Sequence, residues 1–270
     1  MDRKAIFITG GGSGIGRAVA IWFAARGWFI GIADISDSGM AETKSLLPPE
    51  SCSTHKLDVR DREAWDEQLA AFARASGGRI DVLFNNAGIG TGGMLHELDK
   101  DEIDTLIAIN VTGVVYGAQA AYPYLKAAAP GSSLVNTASA AGLYGSGGLS
   151  LYSATKFAVR GFTEALDIEW RDDGIHVCSL MPSFIDTGIL AGPANKKSNV
   201  SKRDSVVRAG LEFTPVEVAA ETVWNAVNGG TKVHNLVGKT AKSMAFAAKW
   251  MPGKLRERSR NLMKARAALE

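Results

Sequence analysis

Short apolar runs alternate along this chain with longer segments in which apolar residues recur every three or four positions. The short runs lie at residues 5–9, 29–33, 80–84, 134–137, 176–180 and 234–238. Uninterrupted runs of this length are typical of strands buried on both faces of a parallel sheet. The first segment between them places Ile15, Val19 and Phe23 at helical spacing. Strands alternating with helices predict an α/β fold with a doubly wound parallel sheet flanked by helices.

The same pattern predicts a single domain. Between residues 5 and 238, no linker rich in Pro, Gly or Ser, no low-complexity tract and no internal repeat interrupts the alternation. A chain of 270 residues can bury one large core. We therefore predict one domain over 1–240, a polar lid at about 188–212, and a basic amphipathic carboxy-terminal extension over 241–270.

A glycine-rich loop joins the first predicted strand to the first helix. Strand, glycine loop and helix form the Rossmann-type context in which backbone amides approach a pyrophosphate at the positive end of a helix. The loop residues that we expect to contact a dinucleotide are Gly10, Ser13, Gly14, Ile15 and Gly16. A structural turn without a ligand remains an alternative for the loop alone.

The end of the second predicted strand bears on the choice of cofactor. Asp34 stands there and can accept hydrogen bonds from the hydroxyl groups of an adenosine ribose, whereas it would repel a 2′-phosphate. The next residue, Ile35, offers no positive charge. We therefore predict NAD, with NADP left open because Arg17 could reach a phosphate.

Tyr152 and Lys156 lie four positions apart, so on a helix they share one face. A free tyrosine ionises near pH 10, too high for a base in a cell. A nearby cation favours the phenolate, and lowering the pKa to about 7 requires about 4 kcal/mol. The pair is a candidate general acid or base, although a plain surface pair has the same spacing.

Polar residues follow two later strands and interrupt one helical pattern. Asn86 follows the strand at 80–84, and Ser139 follows the strand at 134–137. Asn110 lies among apolar residues in a helix predicted over about 101–129. Because no histidine is near Ser139 in sequence, we interpret its hydroxyl as a hydrogen-bond donor to a carbonyl rather than a nucleophile.

Composition restricts the class of protein further. Cys52 and Cys178 lie far apart without a CxxC motif, and four scattered histidines lack the spacing of metal ligands. We expect buried reduced thiols and no metal. Apolar runs long enough for a membrane span or a signal peptide are absent from the sequence, so a cytoplasmic location is predicted.

The net charge of +2 conceals an asymmetry between the two ends of the chain. Residues 1–189 carry 15 basic and 22 acidic side chains, and residues 190–270 carry 15 basic and 6 acidic ones. Two interpretations of the basic end remain open. It either packs on the domain or on a neighbouring subunit, or it lies on an anionic membrane surface. Nucleic-acid binding is not predicted, because no recognition motif accompanies the charge.

Taken together, these motifs resemble the short-chain dehydrogenase/reductase family in its single-domain branch. The resemblance extends from residue 5 to about 187 and returns at residues 234–238. Its markers, in family order, are Thr9, Gly10, Gly14, Ile15, Gly16, Asp34, Asp58, Val59, Asn86, Ala87, Gly88, Asn110, Ser139, Tyr152, Lys156, Pro182 and Thr187.

The resemblance implies a role for each marker. The glycine loop would hold the pyrophosphate, Asp34 the ribose, Asp58 and Val59 the adenine, and Asn86–Gly88 the floor of the cofactor site. Tyr152 would be the general acid or base, Lys156 would lower its pKa and bind the nicotinamide ribose, and Ser139 would orient the substrate. Asn110 would hold a water molecule in a proton relay. Pro182 and Thr187 would contact the nicotinamide, although Ser183 replaces the glycine usual after that proline.

The expected reaction is reversible hydride transfer between NAD(H) and a hydrophobic secondary alcohol or its ketone. The substrate pocket is predicted to be lined by Met94, Leu143, Tyr144, Phe184 and Leu190. Three alternatives stay open: an NADPH-dependent carbonyl reductase, a non-catalytic dinucleotide-binding sensor or scaffold, and a peripheral membrane enzyme. The resemblance also implies a homodimer or homotetramer.

Overall fold

The computed structural model describes residues 3–188, 201–208 and 212–267. Within those ranges, seven strands form one parallel sheet in the order β3-β2-β1-β4-β5-β6-β7. The strands are β1 (Ala5–Thr9), β2 (Phe29–Asp34), β3 (Cys52–Lys56), β4 (Val82–Asn85), β5 (Ser132–Thr137), β6 (Ile175–Pro182) and β7 (His234–Val237). The predicted doubly wound α/β fold is confirmed.

Helices cover both faces of the sheet. They are α1 (Gly14–Ala24), α2 (Asp37–Ser45), α3 (Arg62–Ala75), α4 (Lys100–Ile107), α5 (Gly113–Ala128), α6 (Ser150–Glu169), α7 (Lys202–Arg208), α8 (Val216–Val227), α9 (Gly238–Trp250) and α10 (Pro252–Ala267). Alternate residues of β1 show how the layers form. Ile6 and Ile8 pack in a core with α1 and α8, whereas Phe7 packs with α3 and α5 on the opposite face.

The strand order reverses next to β1, and this reversal positions the site. β1 pairs with β2 on one side and with β4 on the other, both in parallel. Connections leaving β1 and β4 therefore diverge to opposite faces and leave a crevice at the carboxyl ends of these strands. Ligands of open α/β sheets bind in such a crevice.

The single helix predicted over about 101–129 is two helices joined by a wide turn. α4 ends at Ile107, the segment Ala108–Thr112 forms a π-helical turn, and α5 begins at Gly113. The extra residue of a π turn rotates the side chains that follow it, and such turns are frequent at functional sites. Asn110 lies inside this turn and is fully buried.

The carboxy-terminal part folds back over the sheet. α9 begins immediately after β7, so the boundary predicted between residues 240 and 241 falls inside this helix. Of the predicted lid at 188–212, the structure describes α7, and Leu190 lies outside the described residues. In the part of the chain that is described, no helix combines the length and apolarity that crossing a bilayer requires.

The two cysteines are free thiols in different environments. Cys178 on β6 is fully buried, and burial raises the pKa of its thiol to about 12. Cys52 on β3 is only half-buried, so the expectation of two buried thiols holds for Cys178 alone. Over the described ranges, no group of three His, Cys, Asp or Glu side chains is placed to hold a metal ion.

Candidate active site

The glycine loop closes on itself at the start of the crevice. Gly10 has a φ of 63°, a left-handed conformation that side chains other than glycine disfavour. At Gly16, a Cβ atom would collide with the carbonyl group of Gly10, so the first turn of α1 can approach the loop only without a side chain there. The amide groups at the start of α1 thus face the cleft, where the helix dipole favours an anion.

The Asp34 carboxylate is fixed in position at the end of β2. Its Oδ2 accepts a hydrogen bond from the backbone N–H of Gly12 at 2.9 Å, and its Oδ1 accepts one from Ser36 at 3.0 Å. Arg17 does not point towards this carboxylate. Its guanidinium pairs with Glu42 at 2.5 Å and donates to the Thr43 hydroxyl at 3.1 Å. Ile35 lies beside Asp34 with 65% of its surface exposed.

The next part of the cleft wall follows β3. Leu57, Asp58, Val59 and Arg60 line it. The Asp58 carboxylate is paired with Arg60 at 2.5 Å, and this partner lowers the pKa of Asp58 below its usual value. The positive charge of Arg60 is therefore compensated within the wall itself.

The floor of the cleft is fastened to β1 by hydrogen bonds between Thr9 and the segment that follows β4. The Thr9 hydroxyl accepts hydrogen bonds from the backbone N–H groups of Asn86 and Ala87, both at 3.0 Å. The Asn86 side chain donates to the Thr9 carbonyl oxygen at 3.0 Å. Gly88 follows in the chain and lies close to Asn110. A Cβ atom at Gly88 would be 3.2 Å from the Asn110 Oδ1 atom.

Tyr152 and Lys156 lie one turn apart at the start of α6 and face the same cleft. Lys156 is 4% exposed, and its ammonium group donates to the Thr137 carbonyl oxygen at 2.9 Å. Its Nζ lies 5.7 Å from the centre of the Tyr152 ring. The predicted shared face is confirmed, and the interpretation as a plain surface pair is wrong because the lysine is buried.

Burial acts on the ionisation of both groups. It lowers the pKa of Lys156 from 10.5 to about 8, which leaves the ammonium form dominant at pH 7. Burial raises the pKa of Tyr152 above its usual value, and a hydrogen bond with Ser139 acts in the opposite direction. Desolvation of the phenolate outweighs this hydrogen bond in the protein alone, so the lowering of the Tyr152 pKa that was expected from Lys156 is not found there.

Asn110 links the π turn to the loop after β4. Its Oδ1 accepts a hydrogen bond from the Ile89 N–H and its Nδ2 donates to the Ile89 carbonyl oxygen, both at 2.9 Å. A longer contact of 3.4 Å joins Nδ2 to the Thr155 hydroxyl on α6. Asn110 thus holds the cleft floor and the Tyr152 helix in a fixed relation.

Ser139 lies directly after β5, where its hydroxyl accepts a hydrogen bond from the Ala141 N–H at 3.1 Å. A histidine does pair with a serine elsewhere: the Ser179 hydroxyl lies 2.8 Å from His234 Nδ1, and His234 Nε2 lies 2.8 Å from Glu164. Ser179 is fully buried within the sheet, out of reach of a substrate. Ser139 itself has no histidine among its described partners, and its role as a hydrogen-bond donor to a substrate carbonyl stays a prediction.

The far end of the cleft is formed by the segment after β6. Pro182 and Thr187 line it, and the Thr187 side chain lies near Gly14 across the opening. The Ser183 hydroxyl donates to the Val237 carbonyl oxygen at 3.2 Å, so this side chain ties β6 to the end of β7. Ser183 accordingly borders the cleft while its hydroxyl is engaged elsewhere.

The cleft continues into an apolar cavity beside Tyr152, and the whole opening has a volume of about 470 Å³. Of the predicted pocket residues, Phe184 lies on its wall. Leu143 packs instead against a small buried cluster with Val159 and Met181, and Met94 is 42% exposed. Tyr144 is half-buried beside Leu143 and is not among the described residues of the wall.

Several wall residues were not anticipated. Ile89, Ile185 and Val206 fall in the segments 89–95 and 184–211 that were predicted to shape the pocket, whereas the large apolar wall residues outside the predicted segments are Leu57, Ile109, Leu149 and Met244. Met244 comes from α9, more than 50 residues beyond the last family marker. The only sequence signal for it is the helical spacing of Ala241, Met244 and Ala248, which does not indicate the partner of that face.

Comparison with known proteins places this geometry in a family. The family model for short chain dehydrogenases matches residues 4–198. Meso-2,3-butanediol dehydrogenase from Serratia marcescens is 33% identical over 220 residues, covering 81% of this chain and 85% of that protein. The putative oxidoreductase SadH from Mycobacterium tuberculosis is 33% identical over 256 residues, 93% of this chain and 91% of that protein.

A solved structure shows the same similarity. A short chain dehydrogenase/reductase from Burkholderia phymatum, in complex with NAD, is 27% identical with a TM-score of 0.81, covering 91% of this chain and 92% of the other. The chain belongs to the short-chain dehydrogenase/reductase family, as the resemblance of its motifs predicted.

Proposed function

We propose that this protein is an NAD(H)-dependent oxidoreductase that interconverts a hydrophobic secondary alcohol and its ketone. The observation that carries the proposal is the convergence of Tyr152, Lys156 and Ser139 at one end of a cleft whose other end holds the oriented Asp34 carboxylate. The NAD complex of the Burkholderia structure and the secondary diol in the name of the Serratia relative support the same reaction class.

The cleft fits a nicotinamide dinucleotide. Gly10 and Gly16 would leave backbone amides open to the pyrophosphate, and Asp34, whose two oxygens are held by the N–H groups of Gly12 and Ser36, would bind the adenosine ribose. Asp58 and Val59 would border the adenine, and Asn86, Ala87 and Gly88 would form the floor. Pro182 and Thr187 would contact the nicotinamide end. When bound, the nicotinamide ring supplies the hydride donor or acceptor.

NAD rather than NADP is favoured by the charges around Asp34. Arg17 is committed to Glu42, Lys56 pairs with Asp37 at 2.6 Å, and Arg60 pairs with Asp58. Each cation near the ribose position is thus already compensated. A 2′-phosphate would face the Asp34 carboxylate and would need to break one of these pairs.

The catalytic side chains would transfer a proton to and from the substrate oxygen. In ketone reduction the neutral Tyr152 phenol, favoured by burial, donates its proton to the substrate oxygen, while the Ser139 hydroxyl donates a hydrogen bond to that oxygen. In alcohol oxidation Tyr152 takes the proton back as a base. The Lys156 ammonium stabilises the phenolate, and the hydrogen bonds of Asn110 keep α6 and the cleft floor aligned.

An apolar substrate is supported by the cavity beside Tyr152. Ile89, Leu149 and Phe184 face this space, with Val206 and Met244 above it. Burial of such surface stabilises a bound apolar group by about 25 cal/mol per Å². A secondary alcohol with an apolar substituent would therefore bind in preference to a sugar.

The test measures cofactor binding and turnover separately. Titration with NADH and NADPH, followed by energy transfer from tryptophan, should give tighter binding of NADH. Tyr152→Phe should lower turnover of secondary alcohols at least about a hundredfold while leaving NADH affinity unchanged. Tyr144→Phe, the same change at a half-buried tyrosine nearby, is the matched control and should retain activity. Absence of binding to either nucleotide would overturn the proposal.

A further inference from the structure

Helix α9 turns its largest apolar side chains away from the protein. Ala241 is fully buried, and Met244 lies on the cavity wall, so small residues and one methionine form the inner side of the helix. Phe246 is 58% exposed and Trp250 is 64% exposed, one helical turn apart. Met251, which follows the helix, is 38% exposed.

This arrangement is the reverse of that in an ordinary surface helix. A helix packed on a domain normally buries its large apolar residues and exposes its small and polar ones. Burial of an aromatic side chain stabilises a folded protein, and α9 forgoes that gain at Phe246 and at Trp250. Two adjacent exposed aromatic side chains form a patch, which marks an interaction site more often than single exposed residues do.

Three lysines share the surface with the aromatic residues. At 100° per residue, the five side chains lie within an arc of about 100°. We call this surface the α9 outer face; it consists of Lys239, Lys242, Phe246, Lys249 and Trp250. The Lys249 ammonium lies 5.0 Å from the centre of the Trp250 ring. Residues 238–267 contain nine Lys and Arg residues and a single Glu, so the surroundings are strongly basic as well.

We propose that the α9 outer face binds an anionic lipid surface. Lysines beside aromatic side chains suit the boundary between lipid headgroups and acyl chains, where the rings enter the apolar layer and the ammonium groups meet phosphate. A second copy of this chain fits less well, because a two-fold contact would bring the lysines of both copies together. A nucleic acid would satisfy the lysines but would leave Phe246 without an apolar environment.

The inner side of the same helix connects this surface with the cavity. Met244 lies on the cavity wall, and the Met263 sulfur of α10 occupies the space beside Gly147, in the segment that carries the wall residues Ser146 and Leu149. A helix is about 10 Å across. Lipid on the outer face would therefore lie about one helix diameter from the cavity. The proposed lipid binding itself does not depend on the proposed reaction, and it concerns residues beyond the segment 4–198 that the family model matches.

The experiment is co-sedimentation of the full chain with phosphatidylcholine vesicles, with and without phosphatidylglycerol, at low and high salt. We expect binding to the anionic vesicles that decreases with salt. Phe246→Ser/Trp250→Ser and Lys242→Gln/Lys249→Gln should each lower the partition coefficient on the order of tenfold. NADH affinity should remain unchanged in both variants.

Matched controls make the same chemical changes elsewhere on the surface. Leu46→Ser/Ile168→Ser removes two side chains exposed by 53% and 75%, and Lys44→Gln/Lys232→Gln removes two exposed lysines. Both controls should bind vesicles like the unmodified chain.

Five outcomes would overturn the proposal. The first is no binding of the intact chain to anionic vesicles, and the second is equal binding to neutral ones. The third is equal loss in the control variants. The fourth is a lower molar mass of the Phe246→Ser/Trp250→Ser variant in light scattering without lipid, which would assign the α9 outer face to a second copy. Tighter binding of a DNA duplex than of vesicles would assign it to nucleic acid.

Discussion

Lys156 reaches its position in the cleft at the expense of folding stability. Its ammonium group is 4% exposed, and burial lowers its pKa from 10.5 to about 8. This difference corresponds to about 3 kcal/mol below pH 8, since one pKa unit is about 1.4 kcal/mol. Between pH 8 and 10.5 the unfolded chain binds more protons than the folded one, so the free energy of unfolding from this group rises with pH in that window.

Replacement of Lys156 by methionine should therefore stabilise the protein while abolishing turnover. At pH 7 we expect the free energy of unfolding to rise by about 1–3 kcal/mol, because a buried charge gives way to an apolar side chain of similar length. The gain should shrink as the pH rises from 8 towards 10.5. Urea denaturation at several pH values measures it, and a gain that is independent of pH would contradict the pKa shift.

Asp34 should control the choice between the two nucleotides. Asp34→Ser removes the carboxylate that is held by Gly12 and Ser36. We expect NADH affinity to fall on the order of tenfold, because a hydrogen bond to a charged group contributes about 1.5–3 kcal/mol. NADPH affinity should not fall, since the repulsion of its 2′-phosphate disappears. The fluorescence titration checks both values.

Asp101→Ser serves as the control, because Asp101 is an exposed carboxylate in the first turn of α4 and is not among the described residues that line the cleft. It should leave the ratio of NADH to NADPH affinity unchanged. An unchanged ratio in Asp34→Ser as well would mean that Asp34 does not contact the ribose.

The residues of the cofactor cleft were easier to predict from the sequence than the residues of the apolar cavity. Gly10, Asp34 and Tyr152 stand in fixed relation to strand ends and helix starts, so local pattern places them. Leu143 was misplaced because an apolar residue near a site fits a core as well as a pocket, and here it packs in the core. Only the three-dimensional contacts distinguish the two.

At the scale of elements, six of the seven described strands were predicted, whereas β3 (Cys52–Lys56) and the π turn were not. The apolar runs fall within one or two residues of β1, β2 and β5. The turn at Ala108–Thr112 has one more residue per hydrogen-bonded turn than an α-helix. The spacing of apolar residues over about 30 positions hardly changes with one extra residue, so the sequence pattern does not reveal the turn. The π turn is held by hydrogen bonds between Asn110 and Ile89, which are 21 positions apart in the sequence.

Helix α9 should influence substrate choice through one side chain. Met244→Ala enlarges the cavity, so kcat/KM for a bulkier secondary alcohol should rise relative to a smaller one on the order of tenfold. Cofactor affinity should stay constant. Met251→Ala, the same change just after the helix, is the control and should not alter the ratio. Steady-state kinetics with two alcohols of different size measure the ratio of their kcat/KM values. The same ratio in Met244→Ala and Met251→Ala would show that Met244 does not contact the substrate.

At the scale of the whole molecule, chain direction gathers the site at one edge of the sheet. All seven described strands are parallel, so the carboxyl ends of β1, β2, β4, β5 and β6 meet there. Strand–helix alternation in the sequence implies this edge. It does not imply that α9 and α10 return to it, because that contact depends on the packing of Met263 against Gly147, which are 116 positions apart in the chain.

The docking of α10 can be tested at Gly147. Gly147→Val should displace the Met263 side chain and increase hydrogen exchange in α10 on the order of tenfold, because the space for a branched side chain is already occupied. Gly145→Val is the control, since a Cβ there meets nothing within 4 Å. Equal exchange in the two variants would show that α10 is held by other contacts.

The two sides of α9 have a consequence for how the protein can diversify. Its inner side carries the buried Ala241 and the cavity residue Met244, and its outer side carries the aromatic and basic residues. Because the two sets interleave in sequence but lie on opposite sides of the helix, a point mutation in either can be selected without disturbing the other. We expect descendants of this gene to change their substrate range and their surface attachment independently, through substitutions in a stretch of 13 codons.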